Sequence, residues 1–112
     1  MSKKTEEPVF SLDAPATFPA VVSIPCPGKD PAPLRLIFRH LTSEQLTAWL
    51  ASTKEVKSDA EWLAGIIEGW EGVSADFSAD ALAKLVSNYH APAVNAIVDK
   101  YLAELTEVRR GN

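Results

Sequence analysis

Leu34-Arg35-Leu36-Ile37-Phe38-Arg39-His40 runs directly into Leu41-Thr42-Ser43-Glu44-Gln45-Leu46-Thr47-Ala48-Trp49-Leu50. The change of period between these two stretches decides the fold class. In the first, Leu34, Leu36 and Phe38 fall on one face and Arg35 and Arg39 on the other, the two-residue repeat of a half-buried strand. In the second, Thr42 and Gln45 have the spacing of a capping box. Leu46, Trp49 and Leu50 then repeat with helical period. A strand that gives way to capped helices predicts an α+β chain.

Upstream, Phe18-Pro19-Ala20-Val21-Val22-Ser23-Ile24 is rich in β-branched residues and reads as a second strand. Pro19 argues that this strand is an edge or begins late. Between the strands lies Pro25-Cys26-Pro27-Gly28-Lys29-Asp30-Pro31-Ala32-Pro33, whose prolines predict a long loop. The expectation is therefore an N-terminal β-hairpin, residues 17–40, with a long proline-rich loop. Residues 1–15 are charged and proline-containing and read as a flexible arm, with Val9, Phe10 and Leu12 as its apolar residues. Residues 16–112 are then a single domain.

Downstream, about four packed helices are expected, at about 43–52, 58–70, 79–89 and 92–109. Ser58 and Glu61 have capping-box spacing and open the second, whose apolar stripe is Trp62, Leu63, Ile66, Ile67 and Trp70. Gly65 and Gly69 weaken that helix by about 1 kcal/mol each and leave room for a close neighbour. Ser78 caps the third, with Leu82, Leu85, Val86 and Tyr89 on one face. Pro92 suits the first turn of the fourth. There Val94, Ile97, Val98, Tyr101, Leu102, Leu105 and Val108 cover an arc of roughly 140°, and Arg109 and Arg110 suit its C-terminal end.

The chain has 112 residues, 46% hydrophobic and 23% charged, which suits one globular domain. Its net charge of −4 argues against nucleic acid, because phosphate binding needs a basic excess. No apolar run approaches the ~20 residues of a membrane span, and the N-terminus has no signal-peptide pattern. A cytoplasmic protein follows. The small size leaves room for a homo-oligomer.

Little chemistry is visible. Cys26 has no adjacent histidine to activate it and reads as an incidental loop thiol. His40 and His90 are isolated, and one cysteine with two scattered histidines makes no metal site. Glu68 and Glu71 read as a solvated helix end. No phosphate-binding or nucleophile motif occurs. No cofactor, metal or catalytic residue is expected. The aromatic residues of the second half stand out instead. Trp62, Ile66 and Trp70, with Val94, Ile97, Val98, Tyr101, Leu102 and Leu105, are the candidate protein-interaction surface. The stripe of the fourth helix is wider than one packing seam needs, so either two neighbours cover it or part awaits a partner.

Several of these segments together resemble phage tail assembly chaperones, a small family encoded near tail tube and tape-measure genes. They are the Val21–Ile24 strand, the Pro25–Lys29 segment, Leu34–Phe38 with Arg39-His40, and the short helix with Trp49. They continue with Trp62-Leu63-Ala64-Gly65-Ile66-Ile67-Glu68-Gly69-Trp70-Glu71-Gly72-Val73, Phe77-Ser78-Ala79-Asp80-Ala81-Leu82, and the Tyr89, Ile97 and Tyr101 spacing. The resemblance covers about residues 16–105. It implies a non-catalytic phage or prophage protein that acts in virion morphogenesis. Its partners would be the tape-measure protein, which it keeps soluble, and the tail tube protein, whose subunits it helps recruit. It would act in the host bacterial cytoplasm and be absent from the mature virion. Without the resemblance, composition alone equally suits a small cytoplasmic adaptor or regulatory subunit of a bacterial protein complex.

Overall fold

A computed structural model describes residues 9–107. The expected arm thus lies partly outside the described residues, and so do Val108, Arg109 and Arg110. Within the described range the order is β1 (Thr17–Cys26), β2 (Lys29–Arg39), α1 (Ser43–Ala51), α2 (Asp59–Ala64), β3 (Ile67–Glu71) and α3 (Ala79–Thr106). A single 3₁₀ turn, Ser52–Lys54, follows α1. The fold is α+β: a three-stranded antiparallel sheet of order β1-β2-β3 with the helices on one face.

The long proline-rich loop is not there. β1 and β2 pair from Thr17↔Arg39 to Cys26↔Lys29, so only Pro27 and Gly28 make the turn. Pro27 presets the first central position, and Gly28, at φ 73°, takes the positive-φ second position of a type II turn. The prolines are tolerated because of their parity. Arg39 N–H donates to Ile66 O toward β3, whereas His40 N–H donates to Ala16 O toward β1. Backbone groups alternate sides along a strand, so Pro31 and Pro33 share the side of Arg39. Their missing N–H groups lie beyond the end of β3, whose last partner on β2 is Arg35. Pro19 pairs with Ile37 and turns its nitrogen to the outer edge of β1 by the same rule. Pro25 falls at the register shift between Ile24 and Cys26. No ladder bond is lost at any of these sites.

The helix count is corrected as well. The segment expected as a helix to residue 70 stops at Ala64, with Gly65 as its cap, and re-emerges as β3. Ile67, Gly69, Trp70 and Glu71 pair with β2, so long-range ladder bonds outweigh the local helical period. The expected third and fourth helices are two helical segments of one 28-residue element, α3, that meet at a kink where His90 is non-helical. Counted as elements, there are three α-helices among the described residues rather than four. Pro92 explains the irregularity, since its ring conflicts with the carbonyl four residues back and removes one helical bond. His90 absorbs the change at φ 66°, ψ −166°.

The caps are as the side-chain chemistry dictates. Thr42 and Gln45 form a complete capping box. Ser58 accepts from Glu61 N–H, while the Glu61 carboxylate accepts from Lys57 N–H rather than Ser58. Ser78 accepts from Ala81 N–H. Each cap contributes about 1 kcal/mol.

One core holds the sheet and helices together. Ala20, Val22 and Ile24 of β1 and Leu36 and Phe38 of β2 are buried, while their strand neighbours Val21, Ser23, Arg35 and Arg39 are exposed. Leu63, Ile66, Ile67, Leu82, Val94 and Ile97 complete the core from the other elements. Each fully buried side chain of this size contributes about 1.5–3 kcal/mol. Tyr101 sits at the centre. Its ring packs on Phe38 at 5.0 Å and on Trp49 at 5.8 Å, and its hydroxyl donates to Arg39 O at 2.8 Å. Trp49 and Trp62 stack at 4.1 Å and 2°, and each indole Nε1 donates to the other's carbonyl at 2.9 Å. Gly65 is needed beside them: a Cβ there would stand 3.1 Å from Trp49 Cδ1. The opposite face of the sheet carries the solvated pairs Arg35–Glu71 and Arg39–Glu68, at 2.8 and 3.2 Å. Half-exposed pairs of this kind are worth at most ~1 kcal/mol each.

Candidate functional site

Two consequences of the corrected fold create a concave apolar surface. β2 outruns β3 toward the hairpin turn, so the sheet beyond Arg35 has no third strand over it. Gly72, at φ 74°, turns the chain sharply out of β3, and the following loop swings across to Ser78. Between the bare end of the hairpin, that loop and the first turns of α3 lies a cleft of about 450 Å³. Ile24, Pro33 and Leu34 of the hairpin and Trp70 of β3 supply its sheet wall, Val73 its loop wall, and Leu85 and Tyr89 its helical wall. A second hollow continues past Asn88 and Tyr89 over Pro27 and Lys29 to the turn.

Trp70 anchors the cleft. Its pairing with Leu36 fixes it on the helix-facing side of the sheet. Its Nε1 donates to Ala75 O at 2.9 Å, and Phe77 meets its ring edge-on at 5.1 Å. The polar atom is thus satisfied within the loop, and the remaining ring surface is apolar and half-buried. The charged groups along the walls are few: Lys84 in the first hollow, Lys29 and Asp30 in the second.

The sequence-predicted surface divides on folding. Ile66, Val94, Ile97 and Tyr101 are buried in the core. Trp62 is half-buried in its stack with Trp49. Val98, Leu102 and Leu105 pack against the core with part of their surface left outside. Trp70 alone of the nine lines the cleft. The wide stripe of the fourth expected helix is largely covered, because β1 and α2 both pack against α3. Its cleft companions Leu34, Val73, Leu85 and Tyr89 were not singled out as interacting. Strict alternation in Ile67-Glu68-Gly69-Trp70-Glu71 would set Ile67 and Trp70 on opposite faces; the register shift opposite Ile37 and Phe38 brings both to the helix-facing side, and no local signal in the sequence announces it.

The titratable groups offer structural chemistry. Cys26 is half-buried on the cleft wall, and its thiol donates to Ile24 O at 3.3 Å. Burial pushes the Tyr101 hydroxyl up to about 12, so it stays a neutral donor to Arg39. Glu68 and Glu71 lie on a strand in cross-strand ion pairs, not at a helix end. Among the described residues no three histidine, cysteine, aspartate or glutamate side chains are grouped to hold a metal ion. No helix among them is long and apolar enough to cross a membrane.

What the site offers is an open, apolar, weakly charged cleft beside an ordered aromatic side chain, suited to receiving apolar side chains of another polypeptide. A family described as phage tail assembly chaperone matches residues 1–112, the whole chain. No curated protein and no solved structure matches.

Proposed function

This chain belongs to the phage tail assembly chaperone family, and we propose that it acts without catalysis, by binding the tape-measure protein through the Trp70 cleft. Membership of the family gives it a role in phage tail assembly. The single observation that carries the finer reading is the apolar cleft itself, framed by Trp70, Leu85 and Tyr89 on ordered elements. A tape-measure chain is long and helical with apolar faces. One such helix can lay successive side chains into a groove of this kind and be shielded from self-association. Bound in this way it stays soluble while tail tube subunits are recruited around it. The chaperone acts in the host cytoplasm and leaves before the virion is complete. The half-exposed edges of Val98, Leu102 and Leu105 form a second, smaller apolar strip on the same helix and extend the contact.

Co-expression tests the reading. The tape-measure protein of the same genome is produced alone, with the wild-type chain, and with Tyr89→Asp or Val98→Asp/Leu102→Asp variants that retain the wild-type circular dichroism spectrum. The wild type keeps the tape measure in the soluble fraction and co-purifies with it. Tyr89→Asp loses most of that yield, and the Val98/Leu102 variant loses less. An equally insoluble tape measure with and without the chain, and no co-purification, removes the proposal.

A further inference from the structure

We infer that the cleft also receives the N-terminal segment Val9-Phe10-Ser11-Leu12 of a second copy of this chain, so that the protein associates with itself head to tail through the surface proposed above for its partner. The observation is an imbalance. Among the described residues five large hydrophobic side chains are exposed, and three of them, Val9, Phe10 and Leu12, fall within four positions at 91%, 86% and 92% exposure. Singly exposed apolar residues are ordinary, but a contiguous set on an extended segment is a ligand in search of a pocket.

The cleft fits that ligand in shape and charge. It takes side chains rather than a strand. Pro31 and Pro33 carry no N–H on the open side of β2, so an added strand would find no donors there. The charged residues nearest the segment are Glu6, Glu7 and Asp13, with Lys3 and Lys4 further from it. The cleft presents Lys84 and, toward the turn, Lys29, with Asp30 offsetting part of that charge. No ion pair engages Lys84 or Lys29 among the described residues.

Leu12 and Phe10 stand five and seven residues before Thr17, extended spans of at most ~18 and ~25 Å. Ile24 and Cys26 lie seven and nine strand residues beyond Thr17, ~23–30 Å along the sheet. Its own arm would reach Ile24 only at full extension, with no slack to reverse direction at Thr17, and the structure leaves Val9, Phe10 and Leu12 exposed outside the cleft. The arm that fills the cleft comes from another molecule. The contact joins two different surfaces, so it repeats from copy to copy and closes into a ring only if the rotation allows. It also competes with any other chain for the cleft.

Sedimentation velocity of the full chain over a hundredfold concentration range tests this. Phe10→Ser/Leu12→Ser is the first variant, because both side chains are outside the core and the fold does not depend on them. Lys84→Glu is the second. The wild type shows a sedimentation coefficient that rises with concentration. The serine variant needs a more than about 30-fold higher concentration to associate, the effect of withdrawing two large apolar side chains. Lys84→Glu weakens association, and added salt weakens the wild type in the same direction. A peptide of residues 5–16 dissociates the wild type and quenches or shifts Trp70 emission, a change absent in Trp70→Phe. A wild type that stays monomeric throughout, or a serine variant that associates like the wild type, overturns the inference. Loss of tape-measure binding in Tyr89→Asp with self-association unchanged also overturns it while leaving the proposed function standing. Self-association lost in Tyr89→Asp with tape-measure binding retained supports the inference and removes the cleft from the proposed function.

Discussion

Tyr101→Phe isolates one hydroxyl at the centre of the core. The ring contacts with Phe38, Trp49 and Phe18 are retained, and only the 2.8 Å hydrogen bond to Arg39 O is removed. That bond ties α3 to the end of β2 over a separation of 62 residues. Its loss leaves a carbonyl short of a partner in a site where Tyr101 has no exposed surface. The cost at pH 8 is about 1–2 kcal/mol. The pH dependence gives a sharper signature. In the unfolded chain the phenol ionises near 10.0, whereas in the fold burial raises it to about 12. Between those values the folded state holds a proton that the unfolded state releases, so the wild type loses stability as pH rises through 10 toward 12. At ~1.4 kcal/mol per unit the full loss is of order 2–3 kcal/mol. The advantage of wild type over Tyr101→Phe is therefore complete below pH 10, shrinks above it, and reverses as pH approaches 12. Urea unfolding of both proteins at half-unit steps from pH 8 upward measures it, since the other titrating groups cancel in the difference. A difference that is flat across this range refutes the reasoning, as does a phenylalanine variant more stable than wild type at pH 8.

Two further substitutions probe the backbone. His90 occupies φ 66°, ψ −166°, a region that only glycine enters freely. His90→Gly relieves ~1–3 kcal/mol of strain against ~0.5–1 kcal/mol of added chain entropy; it raises the denaturation midpoint, and a loss of more than ~1 kcal/mol would count against the strain. Gly65→Ala places a methyl 3.1 Å from Trp49 Cδ1 and 3.3 Å from Trp62 O. It costs about 1–3 kcal/mol and alters the near-ultraviolet circular dichroism of the Trp49–Trp62 stack, and an unchanged spectrum with unchanged stability would contradict the packing.

Much of this fold was legible because its signals are local. Alternation in Leu34–Phe38 identified β2 and its buried face, and the side chains of Thr42, Ser58 and Ser78 marked three helix starts that the hydrogen bonds now show. The failures share a physical cause. Trp62, Leu63, Ile66, Ile67 and Trp70 fit a helical stripe, yet Gly65 ends the helix early, and pairing with a strand some thirty positions earlier converts the remainder to β3. The proline run was read by composition, whereas parity decides: Pro19, Pro31 and Pro33 all direct their nitrogens away from ladder partners. The two errors together concealed the cleft, which exists only because β2 extends past β3 and Trp70 is held on the sheet. The apolar stripe of α3 had two readings, covered or waiting, and packing by β1 and α2 covers most of it.

The cleft is the proposed binding place for the tape-measure protein. Amide hydrogen exchange on this chain, alone and in complex with the tape measure, tests it most directly. Exchange slowed at residues 72–78, in the first turns of α3 through Tyr89, and at Ala32–Leu34 is the predicted result. Slowing confined to the Arg35, Arg39 and Val21 face of the sheet, with 72–89 unchanged, would contradict it.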